Sequence, residues 1–132
     1  MAAVSVLTNV VNEPMNGNFS CTCTVASSEG GTAIYCGFIP NHIVMQQVGG
    51  SPGATWHSEW HKGMTAAYAT LVGNTGTASI ITSAGFTQLA GTSADPTPAF
   101  VAAASPLAAG EGFYVDTGVT ANSLVYHITA TR

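Results

Sequence analysis

The stretch Thr55-Trp56-His57-Ser58-Glu59-Trp60-His61-Lys62-Gly63-Met64 gathers both tryptophans, two of the four histidines and the only lysine of the chain. On a β-strand, His57, Glu59 and His61 project from one face and Trp56, Ser58 and Trp60 from the other. Two imidazoles and a carboxylate form a zinc-type ligand set, with a fourth position left for water. Strand geometry opposes that use. Residues two apart lie roughly 6.5 to 7 Å from one another, so His57 and His61 are about 13 Å apart, too far for one ion. A helix would instead make them neighbours at i, i+4. The segment reads as a strand, so no metal and no cofactor are expected.

Other chemistry is weaker still. Cys21, Cys23 and Cys36 could supply three thiolates, but they lack the paired two-residue spacing of zinc ribbons and fit the small apolar positions of a core. Cys21 and Cys23 point to the same strand face, where their separation disfavours a disulfide. Free thiols suit a reducing cytoplasm. No Gly-x-Ser-x-Gly elbow occurs, the carboxylates are scattered singly, and no glycine-rich loop opens a helix for phosphate. His42 and His127 fall within strand patterns and read as satisfied or surface histidines. The chain is therefore not expected to be an enzyme. Trp56, Trp60 and Tyr68 could build an aromatic platform for sugar if their rings are exposed, and a core or subunit contact if they are not.

Composition narrows the partners. The 132 residues fit one domain, but only 6% are charged, against about a quarter in ordinary soluble domains. The net charge of −4 comes from Glu13, Glu29, Glu59, Asp95, Glu111 and Asp116 against Lys62 and Arg132. Two cations cannot neutralise a run of phosphates, so neither nucleic acid nor an anionic membrane is an expected partner. Mean hydropathy is positive, +0.31, yet no apolar run reaches the roughly 18 to 20 residues of a spanning helix. The opening Met1-Ala2-Ala3-Val4-Ser5 lacks the basic residues of a secretory leader. A surface with so little charge repulsion suits a protein that lives against neighbours.

These residues must be positioned by strands. Phe19-Ser20-Cys21-Thr22-Cys23-Thr24-Val25 alternates with period two, which predicts a half-buried strand. Further strands are expected over 32–38, 42–48, 54–62, 78–83, 86–90, 100–104, 113–117 and 124–131, separated by turns. Residues 27–31, 49–53, 73–76, 91–98 and 106–112 supply those turns and loops. Residues 64–72 are ambiguous, mostly strand or irregular with room for a short helical turn. Strand spacing near ten residues predicts an all-β domain with little helix, a jelly-roll-like antiparallel β-sandwich or small barrel. The domain spans 1–132, with 1–12 as an extended N-terminal arm.

The motifs also carry a resemblance. Gly37-Phe38-Ile39-Pro40-Asn41-His42-Ile43-Val44, then Glu59-Trp60-His61-Lys62-Gly63-Met64, Thr77 to Thr82, Gly85-Phe86-Thr87, Gly112-Phe113-Tyr114-Val115 and Val125 to Ala130 run in order. Over the last three-quarters of the chain this series resembles small virion proteins of tailed bacteriophages, of the capsid decoration or cement type. Asn41 replaces the basic residue usual after that proline. The resemblance implies a β-rich, non-enzymatic subunit on the capsid exterior, made in the host cytoplasm and bound in many copies to the major capsid protein. We expect self-association as a homodimer or homotrimer, with Phe38, Trp56, Trp60 and Met64 as contact residues. A tail or fibre component, or a carbohydrate-binding host-attachment domain, is the alternative.

Overall fold

The structure, a computed structural model, describes residues 6–25, 31–90, 99–101, 110–120 and 124–132. The strands are β1 (Val6–Glu13), β2 (Asn18–Thr24), β3 (Thr32–Tyr35), β4 (His42–Gly49), β5 (His57–His61) and β6 (Ala69–Val72). They continue as β7 (Ala78–Ile81), β8 (Phe86–Ala90), β9 (Ala99–Val101), β10 (Glu111–Val115) and β11 (Val125–Thr131). The only helical turn among the described residues is a short 3-10 turn, Pro14–Asn16. The expected loops at 91–98 and 106–109, most of 27–31, and residues 102–104 of an expected strand lie outside the described residues.

Seven strands form one sheet in the order β1-β2-β11-β4-β5-β6-β7, and four form a second in the order β8-β10-β3-β9. Neighbours pair antiparallel except β3 and β9, which run parallel. The predicted all-β sandwich is thus observed, with two unequal sheets. Residues 6–12 of the expected arm belong to the edge strand β1, which pairs with β2. The aromatic strand begins later than the sequence suggests: Ala54 to Trp56 belong to the connection after β4, and β5 starts at His57.

Alternation decides what faces inward. In β2, Phe19, Cys21 and Cys23 are buried; in β4 and β11, Ile43, Met45, Tyr126, Ile128 and Ala130 are. The smaller sheet answers with Ile34, Phe86, Phe113 and Val115, all in the same core. Phe19 and Phe113 meet across the layers edge to face, with ring centroids 5.9 Å apart, the geometry that sets the positive ring edge against the negative face. Within the smaller sheet β10 runs hard against its neighbour β3. A side chain at Gly112 would strike the backbone carbonyl of Ile34, so that position requires glycine.

Arg132 is tied in too. Gly17 takes φ +64 to close the 3-10 turn, and its carbonyl accepts the Arg132 backbone N–H at 2.9 Å. Arg132 also donates to the Pro14 carbonyl at 2.9 Å and stands 5.5 Å above the Phe38 ring, where a guanidinium is attracted by the π face.

Two substitutions separate packing from polarity in this core. Phe113→Ala is expected to cost about 3–5 kcal/mol in urea unfolding, as large aromatic truncations do. Ser58 is fully buried and its hydroxyl has no hydrogen-bond partner among the described residues. Ser58→Ala should therefore raise stability by about 1 kcal/mol, since it removes an unsatisfied polar group at little cost in volume.

Candidate functional site

The outer face of the seven-stranded sheet collects the chain's polar chemistry. Because β4 and β5 bury Ile43, Met45, Ser58 and Trp60, the alternate residues His42, Val44, Gln46, His57, Glu59 and His61 must face out. Register then sets the neighbours. His61 lies opposite His42, Glu59 opposite Val44 and His57 opposite Gln46. On the other side of β4, His127 of β11 lies opposite the same Gln46. All four histidines of the chain thus share one face of three adjacent strands.

Three of these groups touch. His42 donates from Nε2 to Glu59 Oε2 at 2.7 Å, and His57 Nε2 stands 3.7 Å from Glu59 Oε1. The other ring nitrogen of His57, Nδ1, is 2.9 Å from Gln46 Oε1. An amide oxygen only accepts, so Nδ1 donates in this contact, and Nε2 attracts the carboxylate when the ring carries both protons. The carboxylate is held between two imidazoles, and the hydrogen bond from His42 holds the Glu59 carboxyl below its ordinary 4.5, with His57 adding to the effect. The side chains remain partly exposed, about 45% for His42 and 36% for Glu59, so the pair is a solvated surface contact.

This arrangement orients rings and locks β4 to β5. Among the described residues no three His, Cys, Asp or Glu side chains are placed to hold a metal ion. The expected separation of His57 from His61 along the strand agrees with their register positions on β5. His42, read from the sequence as a satisfied or surface histidine, is both; its pairing with Glu59 is what sequence reasoning missed. Finding it needed the β4 to β5 register, which a connection of seven residues between Gly49 and His57 does not specify.

The four expected contact residues separate. Phe38 and Trp60 are 1% and 3% exposed and belong to the core, Trp60 donating its indole N–H to the Thr65 carbonyl at 3.2 Å. In the single chain neither can serve as a surface anchor, because their apolar area is spent between the sheets. Met64 is half-buried against the core rim. Trp56 is 39% exposed and borders a hollow of about 200 Å³ lined by Gln47, Val48, Gly49, Gly50 and Pro52. Gln47 fixes this turn by donating its amide to the carbonyls of Gly49 (3.2 Å) and Ser51 (2.9 Å). Tyr68, the third ring of the imagined sugar platform, is half-buried before β6.

The three cysteines are buried and none is in a disulfide among the described residues. Burial raises the Cys21 thiol strongly, with the neighbouring Cys23 adding to it, and pushes Cys36 up to about 11; the Cys36 thiol donates to the Phe38 carbonyl at 3.4 Å. Such thiols stay protonated and unreactive at neutral pH.

No protein family, curated protein or solved structure matches this chain.

Two measurements check the site. Carbon-detected NMR titration should place the Glu59 carboxyl below 4.5, and His42→Ala should return it toward that value. The contribution to stability is complete above 4.5 and lost as pH falls through the folded value, and it should stay under about 1 kcal/mol for so exposed a pair. A thiol reagent at pH 8 should leave all three cysteines unlabelled in the native protein and label all three after denaturation.

Proposed function

We propose that the chain is a non-enzymatic structural protein of a bacteriophage virion, a decoration or cement subunit on the capsid exterior. It binds the major capsid protein in many copies, associates with itself, and stabilises the head. The carrying observation is the outer face of the seven-stranded sheet. It is broad and lined by threonine, serine, glutamine, histidine and valine, and Glu13 and Glu59 are its only formal charges among the described strand residues. A face with so few ions loses little solvation when covered, and weak contacts repeated over a symmetric lattice add up to firm attachment.

The motif residues behind the phage resemblance support this reading indirectly. Phe38 sits in the crossing from the smaller sheet to β4, Trp60 at the heart of β5 and Phe113 at the centre of β10, and all three are buried. They are the residues a shared fold would keep. With two basic residues in the chain, protein contacts are better served than phosphate contacts. The exposed ring of Trp56 beside its hollow favours a second reading, a glycan-binding host-attachment or tail component, since sugars stack on exposed indoles.

Mixing the purified protein with mature heads that lack it should give saturation at a fixed number of copies per particle. Trp56→Ala should weaken that binding tenfold or more while leaving the unfolding midpoint near that of the parent, because the ring is an exposed anchor. Attachment to tails alone, or glycan-dependent quenching of Trp56 fluorescence with no head binding, would transfer the role to the second reading.

A further inference from the structure

The two edges of the large sheet are built differently. An edge strand offers unpaired N–H and C=O groups to any extended chain, and proteins that stay monomeric blunt it with charge, proline, bulges or cover. β1 carries such devices. Its pairing with β2 slips between Thr8 and Val11, Asn9 adopts φ 51, and the strand ends in Glu13 followed by Pro14. In the smaller sheet, β8 is capped by backbone hydrogen bonds between Phe86 and the segment Ala67–Tyr68, while β9 is three residues long.

β7 is also short, at four residues, but its pairing has no bulge. Among the described residues Ala78-Ser79-Ile80-Ile81 pairs only with β6, in unbroken register. It contains no charge, proline or glycine, and no Asp, Glu, Lys or Arg occurs between Lys62 and Asp95. Ile80 is 59% exposed, the most exposed branched aliphatic side chain among the described residues.

We propose that β7 is a self-pairing edge at which two copies of this chain join antiparallel into one continuous sheet. The occupant follows from symmetry and charge. A twofold axis perpendicular to the sheet keeps the outer face outer, so it pairs residues of like orientation. Ile80 faces outward, opposite Thr70 of β6. The register that sets Ile80 against Ile80 of the second copy covers both exposed side chains, and cross-strand pairs of branched residues are favourable. A strand without charge pairs with its own copy without like-charge opposition, which a charged edge could not do. This deepens the self-association in the proposed function and rests on it only for that part.

Sedimentation equilibrium on the full chain tests it. The parent protein should show twice the 13.3 kDa chain mass. Ile80→Lys should sediment as the single chain, while Val11→Lys, at the blunted edge, should remain double. Ile80→Cys should form a cross-linked pair under mild oxidation and Val11→Cys should not, which keeps the test decisive if the lysine variant misfolds; the native cysteines are buried. A single-chain or threefold mass for the parent, or cross-linking through Val11 in place of Ile80, overturns the proposal. Copies bound per head are counted separately: a single-chain parent that saturates heads keeps the lattice role and removes this interface, and a paired parent that ignores heads does the reverse.

Discussion

Contact between the two sheets across Phe19 and Phe113 is what the remaining structure depends on. The chain has almost no charge to organise it, so the interlayer core carries much of the stability. Burying a large apolar side chain is worth roughly 1.5–3 kcal/mol, and this core includes Tyr126, Phe19, Phe38, Phe86, Phe113 and Trp60. The paired rings fix the distance between layers. Gly112 then lets β10 run hard against β3, and Arg132 closes the far end over Phe38. Without that seam the outer face would have no scaffold to hold it flat.

The inequality of the sheets has a consequence for the surface. Four strands cannot cover seven on both sides, so the inner face is buried along the central strands β2, β11, β4 and β5, while the outer face is left open among the described residues. Natural sequences usually keep such a face soluble with lysine and glutamate. Here hydroxyls, amides and imidazoles do it. The one carboxylate in the middle, Glu59, is flanked by His42 and His57, so even that charge is partly answered. A face of this kind is wettable but inexpensive to desolvate, and this combination suits reversible association with a protein surface.

Much of the architecture was legible because period-two alternation is a local signal. Phe19 to Val25 and Leu124 to Thr131 announce their inward faces residue by residue, and β2 and β11 bury those residues. The separation of His57, Glu59 and His61 from Ser58 and Trp60 was readable for the same reason. Register was not. Whether His42 meets Glu59 depends on how the Gly49 to Trp56 connection folds back, and a one-residue slip would have put His42 on the other face. Burial of Trp60 against exposure of Trp56 was equally hidden, since β5 begins at His57 and leaves Trp56 at the mouth of the turn. The pairing of β1 with β2 was not legible either, since the bulge at Asn9 that keeps it in register is a tertiary feature.

The same scarcity of charge links the core, the face and the edges. In an ordinary soluble domain the surface argues against association, and each interface must overcome repulsion and desolvation. In this chain the 32 residues between Lys62 and Asp95 argue against nothing. What restrains β1 is backbone shape, a bulge and a proline, because those devices work without ions. Shape was applied at one edge of the large sheet and withheld at the other. Selection against aggregation would act on both alike, so a difference between them points to an edge that is meant to be covered.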